Sequence, residues 1–249
     1  MKIVLSFDDG RSDAYDAHHI LKKHNLLASF HVATGFVDKT FITNNFGIDR
    51  KALTIEELIE MDKNGMDISS HGDKHITDNK DFITSINKLK EWGINKNKYG
   101  FSVPNSNYTF ELLNAFISNN INTLQYIRVG RSKKCYTLIS KIQYVLYKLF
   151  KLQLSYNYFN KHNLITNINK YCIPSLVIKN YTKAKSLIKF INKYKSTNCT
   201  LVIMFHSIVN NPSNQWEWST SNFTTLCECL SKEKSTIEVL TLEELVKGL

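Results

Sequence analysis

The order of elements along this chain predicts a single α/β domain over residues 1–249, a distorted (β/α)7-8 barrel. Three observations carry that expectation. Short β-branched runs alternate with stretches of helical periodicity from one end to the other, the pattern of a parallel sheet. At 249 residues, 43% hydrophobic and 22% charged, the chain suits one large barrel with a proper core. Polar residues also gather just past the ends of apolar runs, where barrel enzymes keep their active sites.

The elements follow in order. Strand 2–7 leads to a helix near 13–24, and strand 27–33 comes next. Thr54, with Glu57 three residues on, is a capping-box start for a helix running to about Asn64, which Gly65 ends. Strand 66–70 precedes a helix near 81–91, strand 99–103 and a helix over Thr109–Asn119. Strand 123–127, a strand near 173–178, a helix at 182–194 and strand 200–205 continue the alternation. A helix at 221–232 and a last β-α pair at 236–247 complete it. Nine Gly and three Pro leave no linker or low-complexity tract, and no internal repeat is visible.

Three separated stretches read together as one metal-hydrolase site. They are Ser6-Phe7-Asp8-Asp9-Gly10, His71-Gly72-Asp73-Lys74-His75 and Met204-Phe205-His206, each behind a strand-like apolar run. Asp8 and Asp9 are adjacent, so their side chains diverge and one can bind metal while the other faces substrate. Such a pair also serves as a plain turn or helix cap. The adjacency excludes a D-x-D phosphatase motif. His71 and His75 at i,i+4 are expected on one face of a helical turn, as two imidazole ligands of one ion would be. A chance pair is the alternative in a chain with eight His. No Glu follows His71, which excludes the H-E-x-x-H protease arrangement. Asp73 reads as a loop carboxylate, and His18, His19, His24, His31 and His162 read as surface or packing residues.

These residues resemble the polysaccharide deacetylases of the NodB-homology type, carbohydrate esterase family 4. Ser6-Phe7-Asp8-Asp9-Gly10 looks like the family's T/S-F-D-D-G motif, and Ile68 through His75 like its histidine motif, with Gly72 in place of a hydroxyl residue. Phe101-Ser102-Val103-Pro104-Asn105 stands where the family has F-R-x-P-Y/F, and Val202 to His206 matches its L-x-H motif. Leu26–Val32 and Val239–Leu245 are similar to its second strand and closing β-α unit. The resemblance implies Asp9, His71 and His75 as metal ligands, Asp8 as general base and His206 as general acid. It also implies the Asn105 backbone N–H as an oxyanion donor beside Pro104, and Met204 as the lining of the acyl-methyl slot. A set of two His and one carboxylate suits Zn²⁺, with Co²⁺, Ni²⁺ or Fe²⁺ also compatible.

The departures are specific. The family Arg that braces the base Asp is replaced by Ser102, and the aromatic after Pro by Asn105. The family Asp that orients the catalytic His falls in a region without acids, so His206 needs a backbone carbonyl, a water or an acid such as Glu217. Three functions therefore stand: removal of an N-acyl group from an amino sugar, hydrolysis of a formyl or other small amide, and non-catalytic binding by a degenerate site.

Charge is uneven. No Asp or Glu lies between Glu111 and Glu217, while fifteen Lys and Arg lie from Arg128 to Lys195. The whole net charge of +10 thus comes from one segment. It attracts phosphates, anionic headgroups or acidic sugars, or is a solvated face with no dedicated partner; no nucleic-acid partner is expected. Within it, 132–160 looks like an insertion. Leu138, Ile142, Val145, Leu146, Leu149 and Leu152 recur at helical spacing, with Lys134, Lys141 and Lys148 on another face. Such a helix packs on the barrel or lies on an anionic membrane surface. The early first strand leaves no room for a signal peptide, and no apolar run reaches transmembrane length. Five Cys without a C-x-x-C pair read as free thiols. A cytoplasmic location, at most at the inner membrane face, is expected, and with it a precursor substrate, phosphate- or lipid-linked.

Overall fold

The computed structural model describes residues 1–41, 51–130 and 161–249, together with Ile142, Val145 and Leu149. Strands β1 (Lys2–Phe7), β2 (Ser29–Val32), β3 (Asp67–Ser70), β4 (Tyr99–Ser102), β5 (Leu124–Val129), β6 (Ile173–Pro174), β7 (Leu176–Val177) and β8 (Thr200–Phe205) form a parallel sheet in the order β6-β5-β4-β3-β2-β1-β8-β7. Strands β9 (Ser207–Val209) and β10 (Glu217–Ser219) pair separately, and β11 (Glu238–Leu240) adds to β1. The two ends of the main sheet are consecutive in the chain. At Ser175 the polypeptide leaves β5 and joins β8: Ser175 N–H donates to Val129 O (3.1 Å) and Ile178 N–H to Met204 O (2.8 Å). One strand that changes partner therefore closes the distorted (β/α) barrel.

Helices α1 (Asp13–Lys23), α2 (Thr34–Val37), α3 (Ile55–Lys63), α4 (Asn79–Glu91), α5 (Phe110–Asn120), α6 (Ala184–Tyr194), α7 (Thr220–Lys232) and α8 (Leu242–Lys247) lie in the connections. Thr54 and Glu57 form the expected capping box, and Thr241 with Glu244 forms a second. Each satisfies two otherwise orphaned backbone donors at the helix start. Strand 173–178 was expected as one element and is split at Ser175, for the reason just given.

Alternation along the strands separates two environments. One face carries Ile3, Leu5 and Phe7, then Ala28, Phe30 and Val32, then Leu201, Ile203 and Phe205; it packs beneath the helices as the main core. Phe7 stacks on Phe30 (4.7 Å) and Phe205 (5.2 Å) there, which seats the start of the first site loop on a stiff base. The other face, toward the barrel axis, is largely polar and fully buried: Ser6, Ser29, His31, Asp67, Ser69, Ser102 and Arg128. A smaller apolar cluster of Val4, Tyr126, Ile173, Val202, Leu242 and Leu245 fills the N-terminal end of the barrel. The C-terminal ends are left for chemistry.

The stretch 132–160, expected as an insertion, lies outside the described residues, apart from three positions. Ile142, Val145 and Leu149 are helical there and 50%, 51% and 66% exposed. No described helix is long and apolar enough to cross a membrane. The four described cysteines, Cys172, Cys199, Cys227 and Cys229, are free thiols.

Candidate active site

Strand β1 delivers Asp8 and Asp9 by a sharp exit. Asp8 N–H still bonds Phe205 O (3.0 Å), but Asp9 (φ 79°) and Gly10 (φ 81°) both turn left-handed. A β-carbon added to Gly10 would meet Val32 at 3.1 Å, so a glycine suits the turn on two counts. The turn sends the two carboxylates apart. Asp8 meets Arg128, Ser102 Oγ (3.4 Å) and His31 Nδ1 (3.7 Å), while Asp9 meets Arg11, His71 and His75.

The histidine motif is a loop, which corrects the expected helical turn. No helix spans 71–78; Gly72 (φ 80°) and His75 (φ 59°) turn the chain instead. Side-chain hydrogen bonds replace helical ones: Ser70 Oγ accepts from Gly72 N–H (3.0 Å), and Asp81 accepts from Lys74 N–H (2.8 Å) and Ile76 N–H (3.3 Å). Asp73 is buried, not a loose loop acid, and holds Thr34 Oγ1 and Lys88 Nζ, each at 2.8 Å.

Two imidazoles and a carboxylate nevertheless converge. The Nε2 atoms of His71 and His75 are 3.1 Å apart, and Asp9 Oδ1 lies 3.6 Å and 3.8 Å from them. Bonds of about 2 Å to one ion bring ligand atoms to roughly 3–3.5 Å of each other. The donor set therefore fits a divalent metal with little adjustment. It is the one such group among the described residues. Supporting contacts fix the ligand atoms. His71 Nδ1–H donates to Ser102 O (2.8 Å), which leaves Nε2 with its lone pair, and Arg11 Nε–H takes Asp9 Oδ2 (3.0 Å), which leaves Oδ1 for the ion.

Electrostatics agree. Burial alone would raise both carboxyl groups, but Arg128 and His71 pull Asp8 down to about 2, and His71, His206 and Arg11 pull Asp9 lower still. Burial lowers His75 to about 3, so its ring is neutral and able to ligate. His71 moves upward despite burial, because Asp8 and Asp9 face it. The field at that point favours positive charge.

His206 follows β8, the sheet neighbour of β1. Its Nδ1 is buried with no hydrogen-bond partner among the described residues, and its ring meets Trp216 at 4.8 Å, edge to face. Burial lowers its pKa. The Glu217 carboxylate, one anticipated partner, accepts from the 213–214 loop, including Asn214 Nδ2–H at 2.7 Å. Lys179 covers Trp216 at 4.0 Å from the ring centroid, and burial pushes its ammonium down to about 8. Pro104 is buried and starts a 3-10 turn, while Asn105 (φ 54°) is exposed on it, past β4. Met204 is buried in β8, two residues before His206.

Three contributors were not singled out in the sequence. Arg128 reaches Asp8 from β5 and is its fixed cationic partner. Arg11 orients Asp9; its position directly after D-D-G was a usable signal. His31, read as a packing residue, lies inside the barrel between Ser6 Oγ (3.3 Å) and Tyr126 OH (3.1 Å). Nothing local marks it, since the next residue in β2 faces the opposite core.

The pattern of the family described as polysaccharide deacetylase matches residues 1–123. The match covers just under half of the chain and makes this part of it similar to that family. That portion of the deacetylase pattern contains Asp8, Asp9, His71, His75, Pro104 and Asn105, whereas Arg128, Met204 and His206 lie beyond it. Solved structures share the fold over the rest. A family 4 acetyl xylan esterase from Clostridium thermocellum, in complex with a cobalt ion, is 16% identical, covers 99% of this chain and 91% of its own, and has a TM-score of 0.55. A CE4 family pseudoenzyme from Bacillus anthracis is 11% identical over 98% of this chain and 65% of its own, at TM-score 0.53. No curated protein matches the chain.

Proposed function

We propose that this chain, similar to the polysaccharide deacetylases over residues 1–123, is a metal-dependent hydrolase that removes an acetyl group from an N-acetylated amino sugar. The observation that carries the reading is the convergence of Asp9, His71 and His75 on one point beside the second, separately held carboxylate of Asp8. A divalent ion held there supplies Lewis-acid polarisation of the acyl carbonyl and acidifies the attacking water.

The chain's own residues do the remainder. Asp8, kept ionised by Arg128, takes a proton from the water as general base. His206, whose charged form the facing Asp9 and Asp8 carboxylates favour against burial, donates a proton to the nitrogen as the carbon–nitrogen bond breaks, so that a neutral amine departs. The Asn105 N–H, placed by the left-handed turn after Pro104, stabilises the tetrahedral oxyanion. Met204, buried two residues before His206, would limit the acyl group to a small one.

The basic segment 128–195 supports a substrate that carries an anionic group, such as a phosphate-linked cytoplasmic precursor, and contact of 132–160 with an anionic membrane surface. A second reading, a binding protein without turnover, draws on the unpartnered Nδ1 of His206. Zinc-loaded protein incubated with acetylated, formylated and phosphate-linked amino sugars, read by mass spectrometry, separates these. Loss of 42 mass units, about one acetyl group, is expected from N-acetyl substrates and is abolished in His71→Ala. Formate release alone favours the small-amide rival, and stable metal with no product from any substrate sinks the hydrolase.

A further inference from the structure

Arg128 is 1% exposed, next to the last residue of β5, and its guanidinium has three partners on three separate segments of the chain. One outer nitrogen holds Asp8 Oδ2 on the first-strand exit and Ser102 Oγ on β4; the other donates to Ser175 Oγ (3.0 Å) at the barrel seam. Its Nε–H is buried without a partner among the described residues, so the outer nitrogens alone hold the group. Strand register explains how it gets there. Ser102 and Arg128 are directly paired across β4 and β5, and both point to the barrel axis. A long side chain at 102 would occupy the volume that the guanidinium now fills. The small Ser102 leaves that volume open, and its hydroxyl bridges cation to carboxylate.

We infer that Arg128 is the positioning residue for the base: it holds Asp8 in the one orientation that faces the substrate instead of the ligand set, a task moved here from β4 to its register partner on β5. Asp8 Oδ2 is only 3.9 Å from His71 Nε2, so a carboxylate without this anchor is free to swing toward the ligand set and compete with Asp9. A guanidinium gripping Asp8 and Ser102 at once prevents that swing, which a point charge with no fixed fork does less well. The seam contact to Ser175 couples the same anchor to the closure of the barrel. This role rests on the hydrolase reading above, and its test is arranged to fail separately from it.

The test compares zinc-loaded wild type, Arg128→Gln, and the relocated pair Ser102→Arg with Arg128→Ser. Arg128→Gln is expected to lower kcat roughly 100-fold with KM and zinc stoichiometry unchanged, as a misplaced base does. The relocated pair is expected to recover at least about ten-fold of that loss, because the cation returns to Asp8 from the neighbouring strand. Should Arg128→Gln fail to fold, Arg128→Lys, which keeps the charge and loses the fork, carries the comparison with the same split between kcat and KM. Crystal structures of the zinc-loaded proteins give a readout independent of turnover. Asp8 is expected to leave Ser102 in Arg128→Gln and to return in the relocated pair. If wild type hydrolyses nothing, the proposed function fails while the position of Asp8 still decides this inference. An unmoved Asp8, or turnover within two-fold of wild type in Arg128→Gln, overturns it.

Discussion

Asp8 and Asp9 share one backbone segment and have opposite assignments, because the left-handed turn at Asp9 points them to different sides of the barrel mouth. Asp9 has one oxygen tied to Arg11 and the other toward two imidazoles; Asp8 has Arg128, Ser102 and His31 around it. Asp8→Asn is therefore expected to keep full metal content and lose at least about 100-fold in turnover, the ordinary worth of a general base. Elemental analysis beside an acetate-release assay checks both halves. Asp9→Asn is expected to do the reverse first, losing metal at concentrations that saturate wild type. Metal loss in Asp8→Asn with retention in Asp9→Asn would reverse the two roles.

At the scale of elements, the site depends on paired small and large side chains across β4 and β5. Gly100 faces Tyr126 and Ser102 faces Arg128. A β-carbon on Gly100 would fall 2.0 Å from the Tyr126 ring, so the ring lies across a position that only glycine leaves free. Tyr126 OH in turn donates to Asp67 Oδ2 (2.6 Å) and meets His31. Gly100→Ala is expected to destabilise by about 1–3 kcal/mol through overpacking, measured by denaturant unfolding, and to disturb the His31 contact. An unchanged midpoint would mean that β4 yields where the close approach says it cannot. The 71–78 loop makes a parallel case. Gly72 combines φ 80° with a β-carbon position 2.2 Å from Asp81 Oδ2, the carboxylate that organises the loop. Gly72→Ala is expected to weaken metal binding before it unfolds the domain, as titration with zinc would reveal.

For the whole molecule, the polar barrel interior makes stability depend on pH. Asp67 lies at its centre and accepts from Ser29, Ser69, Tyr126 and Lys96, the last at 2.7 Å. Burial would raise its pKa, but Lys96 and Tyr126 hold it below the ordinary 3.8. A carboxyl lowered by folding contributes stability that is fully present above the unfolded value and is lost as pH falls through the folded one. Lys96 is raised by Asp67 and Glu243 against its own burial, so its contribution holds below 10.5 and is lost as pH rises beyond. The stability difference between wild type and Asp67→Asn is therefore expected to be constant above about pH 4 and to shrink below it. A difference unchanged from pH 7 to pH 2 would show that Asp67 is not the group responsible. The charge distribution gives a further expectation at this scale. With fifteen basic residues between 128 and 195, flotation with anionic vesicles should be measurable and should fade with added salt. Changing Lys134, Lys141 and Lys148 to Gln should weaken it, and no flotation at low salt would end the membrane reading.

Local pattern was enough for the elements and for the residues that converge at the barrel mouth. The β-branched runs, the Thr54 capping box, the Gly65 stop and the position of Asp8, Asp9, His71, His75 and His206 past strand ends are all properties of short windows, where hydrophobic period and turn chemistry act on neighbouring residues. The His pair is in a loop past β3, as its place after an apolar run suggests, but its i,i+4 spacing is met by left-handed turns at Gly72 and His75 instead of a helical turn, which spacing alone does not reveal. What only the tertiary structure decided was which distant side chains meet. Arg128 reaches Asp8 120 positions earlier because β5, four strand positions from β1 in the barrel order, faces it across the barrel interior, with a small residue paired beside it. His31 became an interior partner instead of a packing residue because β2 turns that face to the axis. Closure at Ser175 depends on one strand serving two edges. Such contacts are set by register and barrel closure, which are properties of the assembled sheet and leave no trace in the composition of any one segment.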